Sequence, residues 1–311
     1  MKSKLHKSLI ALLFVTYSQF ITGNSLFVTK NSLGYEESSS FWNKHESNWD
    51  NIEKFNQDSF WKKSSKNDVE YYISAFNFYF KESQEVVLQL TPDEPQVDKE
   101  ALIISDSLGN EMGYINSQVS TNDSLFNISQ SKIEEAIKLF PNRLDLRFGK
   151  IHTLGEVQKL EEFTIEILRT IEYSKKIKHK WIWSNDKILE NTEAFFIDSM
   201  QSYQNTLFQL EEDENLKRVA KKMYDIFPND LFVISSYGVT FLIEGKNKEA
   251  LELYLKAEKI NPNDTIVLNN IGLIYERLSD KKNALKYYQK ITEVGDKKAK
   301  ALAEKKINQL K

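Results

Sequence analysis

Residues 231–262 read LFVISSYGVTFLIEGKNKEALELYLKAEKINP, and residues 265–296 read TIVLNNIGLIYERLSDKKNALKYYQKITEVGD. The second stretch repeats the apolar pattern of the first at a shift of 34 residues, from 231 to 265. A fixed period of this length is typical of stacked helical hairpins, each of which is too small to bury its apolar face alone. The period therefore predicts a repeat architecture that presents a surface. The matched pairs are Ile234 with Leu268, Tyr237 with Ile271, Gly238 with Gly272, Phe241 with Tyr275, Ala250 with Ala284, Tyr254 with Tyr288 and Ala257 with Ile291.

Each stretch reads as two amphipathic helices joined by a short turn. Apolar residues recur at the spacing of a helical face, and Gly238 and Gly272 have no side chain. We therefore expect the two helices of each hairpin to cross closely at these glycines. Pro262 ends the first hairpin because proline cannot continue a helix, and Asp264 can cap the helix that follows.

These residues resemble the tetratricopeptide repeat family, whose pattern is a bulky residue, Leu-Gly, Tyr, Ala, an aromatic residue, Ala and a closing Pro. The second stretch departs from this pattern because Gly295 and Asp296 stand where the proline is expected. The resemblance implies an all-α fold, a right-handed solenoid of helical hairpins, and a role in protein binding without a named partner. In the first stretch the pattern is filled by Ile234, Tyr237, Gly238, Phe241, Ala250, Tyr254, Ala257 and Pro262.

Weaker copies of the pattern extend toward the N-terminus. Pro228 and Pro141 close two earlier hairpins, and Gln204 replaces the usual glycine in one of them. Gly149 is displaced relative to Pro141, so the sequence does not fix the register of the hairpin between these two closed units. We divide the chain into a signal peptide (1–23), an N-terminal extension with short helices (24–67), a hairpin with an inserted β-element at about 82–118 (68–142), a degenerate repeat with a tryptophan-containing loop (143–196), tetratricopeptide-like repeats (197–298) and a capping helix (299–311).

The N-terminus has the pattern of a secretory signal. Lys2, Lys4 and Lys7 precede an apolar run over residues 9–15, which is short for a membrane span. The pattern predicts an exported bacterial protein, periplasmic or secreted, without a stable membrane span after cleavage. An uncleaved anchor and a core helix are the alternatives.

Residues 82–118 interrupt the helical pattern. Runs with β propensity occupy residues 85–90, 101–105 and 111–116, and residues 107–110 have the composition of a hairpin turn. Insertions into solenoids go to loops and often to a binding face. We keep two interpretations, a binding element and a cap for the end of the solenoid.

Composition argues against catalysis and against nucleic acid as a partner. The net charge is −3, there is no cysteine, and the four histidines are scattered without metal-ligand spacing. No phosphate-binding, zinc-protease or serine-hydrolase motif occurs in the chain. We therefore predict a non-enzymatic protein without a metal or cofactor.

The predicted partner-binding groove is lined by outward positions of the first helix of each hairpin. These positions mix apolar and polar side chains, which suits an extended peptide or a partner helix. The alternative function is a glycan or small-ligand module that uses Trp181 and Trp183 or the β-insert, although tryptophan is usually largely buried. The groove residues are Phe232, Ser235, Val239, Leu242, Ile266, Asn269, Leu273 and Glu276.

Overall fold

A computed structural model describes residues 68–92, 101–183, 188 and 190–310. The predicted signal peptide and N-terminal extension lie outside these residues. The predicted fold class, an all-α repeat protein with a small inserted β-element, is confirmed. The described elements are α1 (Val69–Glu82), β1 (Gln84–Thr91), β2 (Ala101–Ser105), β3 (Glu111–Thr121), α2 (Asp123–Leu139), α3 (Leu144–Glu156), α4 (Leu160–Lys176), α5 (Thr192–Gln209), α6 (Asp213–Ile226), α7 (Leu231–Ile243), α8 (Asn247–Ile260), α9 (Thr265–Arg277), α10 (Lys281–Val294) and α11 (Lys297–Leu310).

The described residues form two compact units. The N-terminal unit contains described residues of the ranges 68–166 and 180–190, and the C-terminal unit contains residues 167–179 and 191–310. The first unit holds the inserted sheet, and the second holds the two best-matched hairpins. Within the part of the chain that the structure describes, none of the helices combines the length and the apolar character of a membrane span.

In the N-terminal unit, α1 and α2 pair as a hairpin from which the sheet emerges. Ser129 Oγ donates to the Phe76 carbonyl at 2.9 Å across the pair. The Asn122 N–H donates to the Ser83 carbonyl at 2.8 Å, so the two ends of the insertion are joined at its base. Each end of the insertion is therefore fixed to the helix beside it. The packing of α1 against α2 is not interrupted by the insertion. The core beneath consists of Tyr72, Phe76, Ile133, Ala136, Ile137 and Leu146.

The sheet is antiparallel, with the strand order β1-β3-β2. Gly109 in the β2–β3 turn has a φ of +84°, which glycine adopts without strain. Asp106 Oδ1 accepts from the N–H groups of Leu108 and Asn110 at 2.8 and 2.9 Å in the same turn. Strand β3 continues to Thr121, beyond the predicted run, because its polar second half pairs with β1.

In the C-terminal unit, the predicted close crossings fall at the two glycines. A Cβ on Gly238 would lie 2.8 Å from Tyr254 Cε2, and a Cβ on Gly272 would lie 2.8 Å from Tyr288 Cε1. Both tyrosines are fully buried. Glycine is therefore required at both positions because an aromatic ring of the second helix occupies the space of a side chain.

The last helix, α11, packs on the hairpin formed by α9 and α10. Ala303 is buried with Leu268, Tyr288 and Ile291, while the lysines of α11 are mostly exposed. A helix with one apolar and one charged face ends a stack without leaving an open apolar surface.

Candidate partner-binding groove

The eight predicted groove residues divide evenly between half-buried and buried. Phe232, Ile266, Asn269 and Glu276 keep part of their surface exposed, whereas the others are at most 7 % exposed. The buried members of the set are Ser235, Val239, Leu242 and Leu273.

Four of these assignments need correction, because Ser235 and Val239, at 7% and 3% exposed, are buried like the two leucines. Leu242 is fully buried and Leu273 is 6 % exposed, and both belong to the apolar core that contains Tyr254 and Ile271. Helix α7 is apolar on nearly every face, so its periodicity does not separate the core side from the outer side. Both leucines stabilise the stack and do not face a partner.

Glu276 already has partners within the chain. Tyr288 Oη donates to Glu276 Oε1, and Lys306 Nζ lies 3.1 and 3.3 Å from the two carboxylate oxygens. Burial raises the pKa of Tyr288, and its hydrogen bond to Glu276 acts in the same direction. Glu276 therefore connects α9 to α10 and α11, and its charge is neutralised by Lys306.

Helix α5 contains the residues that are equivalent to the predicted groove positions of α7. Shifting by 34 residues from Phe232, Ser235, Val239 and Leu242 reaches Asp198, Gln201, Asn205 and Phe208. Asp198 is exposed, but its carboxyl group is partly desolvated, and this desolvation together with the nearby Asp230 raises its pKa. In the sequence, Gln204 occupies the glycine position of this hairpin, but the predicted groove is restricted to the two best-matched hairpins and does not extend to α5.

Trp181 is not accessible for the ligand contact of the alternative function. Trp181 is 1 % exposed, and the guanidinium carbon of Arg147 lies 5.7 Å from its ring centroid. Backbone hydrogen bonds of Ile182 to Leu144 and Asn142, at 2.9 and 3.0 Å, hold the loop in place. Trp181 is therefore a core residue, in line with the usual burial of tryptophan.

Neither described histidine belongs to a cluster that resembles a catalytic or metal site. His152 Nε2 lies 3.5 Å from Glu156, and burial lowers the pKa of His152 to about 4. His179 Nδ1 lies 2.9 Å from Ser174 Oγ. Within the described part of the chain, no group of three or more histidine, cysteine or acidic residues could hold a metal ion.

Two models of the same repeat family match the chain. The model described as TPR repeat matches residues 238–279, and the model described as tetratricopeptide repeat matches residues 266–294. The chain therefore contains tetratricopeptide repeats, and the resemblance is confirmed where the glycine–tyrosine crossings lie. No curated protein matches the chain.

Several solved structures match part of the chain. YrrB, a TPR protein with an unusual peptide-binding site, is 16% identical over 58% of this chain and 83% of its own, with a TM-score of 0.39. MamA is 16% identical over 57% of this chain and 93% of its own, with a TM-score of 0.37. The Sgt2 TPR domain from Aspergillus fumigatus is 20% identical over 36% of this chain and 79% of its own, with a TM-score of 0.32.

Proposed function

We propose that this protein is an exported scaffold that binds an extended peptide or a partner helix on the first helices of its C-terminal repeats. The general role of a protein-interaction scaffold follows from the repeats themselves, since tetratricopeptide repeats are protein-interaction modules and are generally non-enzymatic. The binding groove and the exported location go beyond the matched repeats and are proposed here.

One observation carries the groove proposal. Phe232 and Ile266 occupy equivalent positions at the start of α7 and α9, and both keep part of a large apolar side chain exposed. Asn269 lies one turn further along α9 and is half-buried. Apolar anchors beside a polar group are typical of surfaces where a few side chains supply most of the binding energy.

Charge indicates the chemistry of the partner. Residues 189–216 contain seven acidic residues and no Lys or Arg, and Asp198 lies at a groove position in that stretch. At the other end, the charge of Glu276 is neutralised by Lys306. We therefore propose a segment with apolar side chains toward α7 and α9 and a Lys or Arg toward α5, whose charge Asp198 would attract.

Phage display of random peptides on the purified protein tests the groove. The double variant Phe232→Glu with Asn269→Glu should lose the enriched peptides, because two added charges cannot be desolvated by an apolar partner. The matched control is Ile260→Glu, which changes a side chain that is 44% exposed on the second helix α8. Equal enrichment by the double variant and the control would refute the groove.

The exported location rests on the lysines and apolar run of the first 23 residues. Its test is mass spectrometry of the N-terminus in the envelope and secreted fractions of a bacterial host. A new N-terminus near residue 23 supports export, and an intact chain confined to the cytoplasm would refute it.

A further inference from the structure

The inserted sheet has one face without charge. In an antiparallel sheet, alternate residues of paired strands share a face. The observed register places ten side chains of the three strands on this face. Gln84 and Thr121 lie at its base, and of the other eight only one is polar. This apolar sheet face consists of Val86, Leu88 and Leu90 of β1, Ile115, Ser117 and Val119 of β3, and Leu102 and Ile104 of β2.

The apolar sheet face is exposed to an unusual degree. Val86 is 74%, Leu88 78%, Leu102 72% and Val119 65% exposed. An antiparallel sheet ordinarily packs one face against a core, and a contiguous exposed apolar patch marks an interaction site. The long strand β1 is also open to association, because none of the described strands pairs with its outer edge.

The charges of the sheet are kept away from this face. Glu85 and Glu111 alternate to the opposite side, where Tyr114 Oη donates to Glu111 Oε2 at 2.8 Å. Asp106 lies in the β2–β3 turn. The described strands contain no Lys or Arg, so the sheet lacks the cations with which proteins bind anionic membranes.

We propose that this face packs against the same face of a second copy of the chain. An uncharged apolar face is complementary to itself, and a two-fold arrangement keeps the acidic side chains of both sheets outside the contact. A basic partner would find no acid on this face to attract it. None of these residues belongs to the proposed groove, so the inference is independent of that function.

The size of the face predicts a reversible dimer. Eight residues of β1 extend about 27 Å, and three strands span about 14 Å, so the flat area is on the order of 400 Å². Side-chain relief increases this area, yet it stays below the roughly 800 Å² per partner of a standard interface. Interfaces of this size are typical of weak, transient complexes, so we expect a dissociation constant on the order of 10–100 µM.

Sedimentation velocity of the full chain at about 1–200 µM tests the proposal. The wild-type protein should dimerise reversibly, with no weakening in salt, because the contact contains no ion pair. Leu102→Lys should raise the dissociation constant at least tenfold. The control Ile103→Lys adds the same charge to the opposite face at a residue that is 57% exposed, and it should change the constant less than twofold.

A cross-linking experiment identifies the contact face directly. The chain has no cysteine, so a single introduced thiol is unique. Ser117→Cys lies on the central strand of the apolar face, and Gln118→Cys lies next to it on the opposite face. A short bismaleimide should join two copies through residue 117 and not through residue 118. A wild-type monomer at every concentration, equal disruption by Ile103→Lys, or preferential linking through residue 118 would overturn the proposal.

Discussion

Substitution of Gly272 by alanine should destabilise the last repeat, although the same change stabilises most helices. Alanine in place of a helical glycine ordinarily gains about 0.5–1 kcal/mol from its lower backbone entropy in the unfolded chain. At Gly272 the new Cβ would lie 2.8, 2.9 and 3.2 Å from three ring atoms of Tyr288. Carbon atoms prefer separations of about 3.5–4.0 Å, so the ring or the helix must move.

The ring of Tyr288 has little freedom to move. It is fully buried, and its hydroxyl donates to Glu276. Overpacking of this kind costs about 1–3 kcal/mol. After subtraction of the backbone gain, we expect Gly272→Ala to lower the local free energy of unfolding by about 0–2.5 kcal/mol.

Gly149→Ala is the matched control. Gly149 also lies inside a helix, but its Cβ would meet Phe76 at an ordinary 3.5 Å. We expect this variant to gain about 0.5–1 kcal/mol. Hydrogen exchange of peptides from α9, α10 and α3 measures both local free energies in the same protein.

A double-mutant cycle with Tyr288→Leu tests the cause. Leucine lacks the Cε1 and Cζ atoms that crowd the new methyl group, so the penalty of Gly272→Ala should largely disappear in this background. The reasoning is refuted if Gly272→Ala is as favourable as Gly149→Ala, or if its penalty persists in the Tyr288→Leu background.

Three further predictions concern other contacts. Trp181→Ala should cost about 3–5 kcal/mol in urea unfolding, because the ring is 1 % exposed, and a cost below about 1 kcal/mol would contradict its burial. Glu276→Gln and Lys306→Ala should be non-additive by about 0.5–1 kcal/mol, because both side chains remain about a quarter exposed, and strict additivity would show that the ion pair is energetically silent. Burial lowers the pKa of His152 to about 4, so the unfolded chain binds the proton first and stability should fall as the pH drops from 6.5 toward 4. The full shift corresponds to about 3 kcal/mol, and partial exposure of the side chain reduces the expected loss to about 1–2 kcal/mol. His152→Gln should remove this part of the pH dependence, and an unchanged profile would refute the assignment.

The sequence predicts the C-terminal hairpins well because their determinants are local. Gly238 and Gly272 recur with aromatic partners at the same spacing, and Asp264 caps α9 through its carboxylate, as expected. These features depend on residues within one repeat. Propensity and spacing therefore suffice to locate the helices and their crossings.

The groove was harder to predict because exposure depends on neighbouring helices. Leu242 and Leu273 occupy outward positions in the family pattern, yet the adjacent repeat buries both of them. Glu276 reads as a surface acid until Lys306, 30 residues later, is placed beside it. Strand β3 likewise extends to Thr121 through pairing with β1, which the polar sequence of its second half does not indicate.

The hairpin of α5 and α6 explains why the repeat persists where its signature is lost. At the positions of the glycine and the tyrosine, this hairpin has Gln204 and Ala220, so the larger side chain has moved from the second helix to the first. Both residues are fully buried, and Gln204 accepts a hydrogen bond from Ser236. A buried core requires a filled volume more than a particular residue at either position. The exchange retains that volume, so the 34-residue register continues through α5. Asp198 then lies at the position equivalent to Phe232, where the proposed groove would have its acidic end.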